Sequence, residues 1–128
     1  MAGYLLDTHA AIWFFNGDAA LSETARRIIR DLSNPVSISV ASAWELAIKA
    51  GLGKLEFDGK SAGFIRLAQA NSIEVLPIKA AHLGAPESLP LLRRDPFDRL
   101  LVVTALAERM TLVTRDRNIA RYAAPRIW

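Results

Sequence analysis

Apolar and polar positions along the chain fall into short blocks whose period switches repeatedly. Residues 3–6 are a brief apolar run ending in Asp7, the pattern of a buried first strand. Asp7 and Thr8 then offer capping oxygens for a helix through Ala10, Ala11, Ile12, Trp13, Phe14 and Phe15, and Asn16-Gly17-Asp18 stops it. Ser22 and Glu23 open a second helix. There Ala25, Ile28, Ile29 and Leu32 recur at helical spacing and should face inward, with Arg26, Arg27 and Arg30 on a solvated face. Asn34-Pro35 breaks it. Val36, Ile38 and Val40 alternate with Ser37 and Ser39, as in a strand. Ser42 is the expected cap of a helix with Trp44, Ala47 and Ile48 on or near one apolar face, and Gly51 and Gly53 end it.

Residues 56–60 read as a polar turn. Residues 61–71 are amphipathic, with Phe64, Ile65, Leu67 and Ala68 inward. Ile73, Val75 and Leu76 predict a strand that Pro77 stops. Residues 80–84 form a short helix in which His82 is a surface or packing residue, and 86–90 are a loop. Asp95 is a good N-cap and Pro96 fits the first helical position. The run 100–107 is apolar nearly all round, so this helix should be buried, closing at Glu108 and Arg109. Residues 111–114 predict a core strand, 118–122 a short helix and 125–128 an edge strand. Alternation of this kind predicts one α/β domain over residues 1–128. It has three layers, α/β/α, around a mostly parallel sheet of four to five strands.

Composition narrows the chemistry. At 128 residues and 52% hydrophobic, the chain supplies one sizeable core. A formal charge of +3 is compatible with an anionic partner without requiring one. With no Cys, disulfides, zinc thiolates and cysteine nucleophiles are excluded, and with only His9 and His82 a His-rich metal site is disfavoured. Asp7 interrupts the first apolar stretch, which lacks the basic start of a secretory signal. No uncharged apolar run approaches the ~18 residues of a membrane span. A cytoplasmic protein is the expectation.

The acids carry the candidate chemistry. Singly, each has a plain structural explanation. Asp95 and Asp98 suit a helix N-terminus, Asp116 suits a cap for the last helix, and Glu45 stands one turn from Lys49 as in a surface ion pair. Their placement adds something else. Asp7 and Asp116 each directly follow an expected strand, Glu45 lies early in a helix after a strand, and Asp98 begins a helix leading to one. In open parallel sheets, sites form beyond the carboxyl ends of the strands, so all four should meet at one edge. Two carboxylates about 5 Å apart repel by roughly 3 kcal/mol at an effective dielectric of about 20, and four together by more than ~10 kcal/mol. Either protons stay bound or a divalent cation neutralises the cluster. An all-oxygen site favours Mg²⁺ or Mn²⁺, ions that bind phosphate oxygens and activate water for phosphoryl chemistry. Arg94, Arg99, Arg115 and Arg117 flank the acids as candidate contacts for substrate phosphates.

The strings YLLDTHAAIWF, SAWELAIKAGLGKL, RRDPFDRLLVVTALA and LVTRDRNIARY, in this order, resemble a PIN-domain ribonuclease, most of all the VapC-like toxins of bacterial toxin–antitoxin pairs. The resemblance runs from the first strand to the last helix. It implies an acidic site of Asp7, Glu45, Asp98 and Asp116, with Thr8 and Thr114 as supporting hydroxyls. It also implies Mg²⁺- or Mn²⁺-dependent endonucleolytic cleavage of RNA to 5′-phosphate and 3′-hydroxyl ends, a homodimer, and a small antitoxin covering a groove near the first helices. The cluster Trp13, Phe14, Phe15 suits such a docking role in part and core packing in part. Arg93 departs from the His that relatives often carry, and Glu108-Arg109-Met110 from a frequent Gly. Two alternatives remain. One is an RNA- or protein-binding module without catalysis. The other is an aspartyl-phosphate phosphatase on Asp7, which position 9, a His rather than a second acid, disfavours.

Overall fold

The computed structural model describes residues 3–84, 95–117 and 124–128. The strands are β1 (Tyr4–Leu6), β2 (Val36–Ser39), β3 (Glu74–Leu76), β4 (Thr111–Val113) and β5 (Arg126–Ile127). They form one sheet in the order β3-β2-β1-β4-β5, every pairing parallel. The helices are α1 (Thr8–Asn16), α2 (Glu23–Arg30), α3 (Val40–Gly51), α4 (Lys60–Ala70), α5 (Ala80–Gly84) and α6 (Pro96–Glu108). The expected loop at 86–90 and helix at 118–122 lie outside the described residues.

Side chains alternate across a strand, and the two faces of the sheet bury two separate cores. Leu6 and Val113 join Ile12, Ile38, Leu46 and Phe64 on the face covered by α1 to α4. Their neighbours Leu5 and Leu112 join Leu101, Val102 and Ala105 of α6 on the other. This yields the three layers. The strand order places a switch between β1 and β4. The chain runs from β1 outward through β2 to β3, then returns to the opposite side of β1 as β4. Crevices at such switch points are where open parallel sheets hold ligands.

Several sequence expectations are corrected. Ser39, not Ser42, caps α3, its Oγ accepting from the Ala41 N–H at 3.0 Å, so Val40 starts the helix rather than ending the strand. The inward face of α3 is then Ala43, Leu46 and the polar Ser42 and Glu45, while Trp44 is 61% exposed and Ile48 is exposed too. Trp44 instead stacks edge-on against Phe97 of α6. Leu32 is exposed because α2 ends at Arg30 with Asp31 as its cap. Leu67 is exposed because α4 buries Gly63, Phe64 and Ala68. Phe57, within the expected polar turn, is buried against Phe15 and Phe64.

Candidate active site

Asp7 continues β1 by one residue. Its N–H donates to the Val113 carbonyl at 3.1 Å, and its extended backbone makes it the N-cap of α1. Asp7 Oδ1 accepts from the Ala10 N–H at 2.7 Å, and Oδ2 accepts from the Thr114 hydroxyl at 2.5 Å. Protein packed around the carboxyl strips its water, which pushes its pKa above the ordinary carboxylate value. The Thr114 and Ala10 hydrogen bonds and nearby His9 oppose that shift, and the charge of Glu45 adds to it.

Glu45 is 4% exposed, on the inward face of α3. Its Oε1 accepts from the Thr8 hydroxyl at 2.7 Å, and the same hydroxyl oxygen lies 2.9 Å from Ser42 Oγ. Its Oε2 meets the Lys49 ammonium at 2.5 Å. That hydrogen bond raises the Lys49 pKa, against the desolvation of the ammonium, and the fields of Glu45, Asp95 and Asp98 reinforce it.

Asp98 sits in the first turn of α6, and Asp95 caps that helix by accepting from the Phe97 N–H at 2.9 Å. Asp116 follows β4, and its N–H donates to the Thr114 hydroxyl oxygen at 3.1 Å. Thr114 therefore ties the chain ends after β1 and β4 together, donating to one acid and accepting from the backbone of the other.

Asp7, Glu45, Asp98 and Asp116 all line a single cavity of about 300 Å³, with Thr8, Thr114 and Asp95 in the same wall. Lys49 and Arg115 line the same cavity. The Arg115 guanidinium lies 4.7 Å from the centre of the Trp13 ring, which packs in turn on Trp128. Arg99 and Arg117 lie outside the described wall, and Arg94 lies outside the described residues. The donor set is carboxylate and hydroxyl oxygen, the chemistry of a hard divalent ion. Among the described residues no three His, Asp or Glu side chains are grouped closely enough to hold an ion as they stand. Oε2 of Glu45 and Oδ2 of Asp7 are held by Lys49 and Thr114.

Residues 4–125 match the PIN domain family. The chain belongs to that family. It is 29% identical to the Ribonuclease VapC22 of Mycobacterium tuberculosis (strain ATCC 25618 / H37Rv) over 129 residues, 98% of this chain and 96% of the relative. Its fold matches a chain of VapBC2 from Rickettsia felis, crystallised on a promoter DNA fragment, with a TM-score of 0.71 at 18% identity, covering 98% of each chain. It matches a chain of DNA-bound VapBC from Salmonella typhimurium with a TM-score of 0.70 at 18% identity, covering 100% of this chain and 98% of that one.

Within this PIN domain, sequence reasoning missed the part played by Lys49. The i,i+4 spacing from Glu45 was visible, but it reads equally as a surface pair until α3 is rotated to put both side chains in the cavity wall. Ser42 gave no separate signal because it looks like a helix cap, and Trp13 suggested core packing and docking rather than a place beside the acids.

Proposed function

We propose that this chain is a divalent-metal-dependent endoribonuclease acting as the toxin of a toxin–antitoxin pair. The observation that carries the reading is the gathering of four carboxylates from four separate segments into one cavity at the switch point of a parallel sheet. Similarity to a ribonuclease over nearly the full length of both chains supports the substrate class. The fold shared with VapBC complexes supports a small antitoxin as partner.

Asp7, Glu45, Asp98 and Asp116 are the residues that would hold Mg²⁺ or Mn²⁺. When bound, such an ion supplies charge neutralisation and a water of lowered pKa beside an RNA phosphodiester. The protein's own part is positioning. Thr114 orients Asp7, Thr8 orients Glu45, and the macrodipole of α6 favours the charge of Asp98 in its first turn. Arg115, in the cavity lining, is the arginine we assign to a substrate phosphate oxygen. We assign the protein as a single domain over residues 1–128, working as a homodimer in the cytoplasm. Among the described residues no helix is long and apolar enough to cross a membrane.

The test is cleavage of total RNA by the purified chain with Mg²⁺ or Mn²⁺, with end mapping. Wild type should leave 5′-phosphate and 3′-hydroxyl ends, and Asp98→Asn and Asp116→Asn should be inactive while remaining folded. RNA cut at the wild-type rate by Asp98→Asn, or by wild type in excess chelator, would remove the assignment.

A further inference from the structure

We propose that Lys49 is a built-in counter-cation of the acidic cavity, which competes with the divalent ion for Glu45 and so sets how tightly that ion binds. The inference rests on the metal-dependent reading above and concerns how this site is regulated.

An ordinary surface i,i+4 pair has two solvated partners and contributes little. This pair does not fit that description. The Glu45 side chain is 5% exposed and that of Lys49 30%. Both line the cavity, and the ammonium also lies in the fields of Asp95 and Asp98. Both oxygens of Glu45 are engaged, Oε1 by Thr8 and Oε2 by Lys49. A buried carboxylate needs such partners, because an uncompensated one is costly. Thr8 and Lys49 each take one lone pair of Glu45, so an ion that ligates Glu45 shares the carboxylate with the Lys49 ammonium, is repelled by it, and weakens or displaces the Oε2 bond. Two cations contend for one carboxylate, and the affinity measured for the divalent ion is lowered by the stability of the pair it disrupts.

The experiment is Mn²⁺ binding to the full chain by calorimetry, with no RNA present. Lys49→Met and Lys49→Gln should each tighten Mn²⁺ binding by roughly fivefold, the scale of a partly exposed ion pair. Arg115→Met removes a positive charge from the same cavity wall without touching Glu45 and should tighten binding clearly less. Lys49→Arg, which keeps the pair, should stay within about twofold of wild type. Equal affinity for wild type and Lys49→Met would overturn the inference, as would an equal gain in Arg115→Met, which would mean a general charge effect. Lys49→Gln retains a hydrogen-bond donor toward Glu45, should the methionine variant fail to fold. A third measurement needs no variant. In wild type followed by NMR, the Lys49 side-chain ε signals should shift as Mg²⁺ saturates the site, and unmoved signals at saturation would also overturn the inference. Mn²⁺ binding that Asp98→Asn abolishes, combined with no effect of Lys49, leaves the proposed function standing and rejects only this step. No Mn²⁺ binding to wild type rejects both.

Discussion

The hydroxyl of Thr114 donates to Oδ2 of Asp7 across 107 positions of sequence, and its oxygen accepts the N–H of Asp116. One buried side chain thus joins the ends of the two central strands and fixes a carboxylate that burial would otherwise leave short of partners. Thr114→Val keeps the shape and removes both hydrogen bonds. Loss of stability by about 1–3 kcal/mol is expected, the cost of stripping a buried polar group of its partner. The Asp7 pKa should rise further, because the Thr114 hydrogen bond is the largest influence lowering it. Thermal melts and a pH profile of RNA cleavage shifted to higher pH would check both parts.

Asp7→Asn separates activity from stability. Cleavage should be abolished. Burial raises the folded pKa of Asp7 above its ordinary 3.8, so folding takes up a proton between the two values. That contribution to stability is fully present below 3.8 and is lost as pH rises through the folded value, above which the ionised carboxylate is a cost. Asn carries no charge and can still accept from the Ala10 N–H. The variant should therefore melt above wild type at pH 7, with the difference shrinking as pH falls through the raised folded value and gone below 3.8. A variant less stable than wild type at pH 7 would contradict the burial argument.

His82, 1% exposed, links α5 to α6. Its Nδ1 accepts from the Lys79 N–H at 3.1 Å, which leaves Nε2 to donate to Glu108 at 3.0 Å. That hydrogen bond holds the Glu108 carboxyl below its ordinary 4.5. Its stabilising contribution is present above 4.5 and lost as pH falls through the depressed folded value. His82→Ala should move Glu108 back toward its ordinary range by NMR titration. It should also lower stability by about 2 kcal/mol through the cavity and the lost bond.

Arg109 ends α6 in the left-handed conformation, with φ of 56° and its N–H returning to the Ala105 and Leu106 carbonyls. A side chain pays strain there that glycine does not. Arg109→Gly should raise stability by about 0.5–1 kcal/mol, net of the added chain entropy, with cleavage unchanged. A melt at or below that of wild type would count against it.

Much of the fold was legible because it is written locally. Capping by Asp7, Ser22 and Asp95 involves partners within three residues, and periodicity identified each strand core. Errors arose where several local signals were equivalent. Ser39 and Ser42 are both fair caps for the same helix. Moving the start from one to the other rotates the buried face from Trp44 and Ile48 to Leu46 and Glu45. Phe57 was hidden in a polar stretch because its partners, Phe15 and Phe64, come from other segments.

From its sequence alone, this protein is an α/β chain of alternating strands and helices with acids set at strand ends and helix starts. Those features depend on backbone hydrogen bonding and side-chain spacing over a few residues. Only the tertiary structure decided the strand order β3-β2-β1-β4-β5, the bond from Thr114 to Asp7, and the turning of Glu45 and Lys49 into one cavity wall. These depend on which faces pack together, so residues tens of positions apart meet only once both cores have closed.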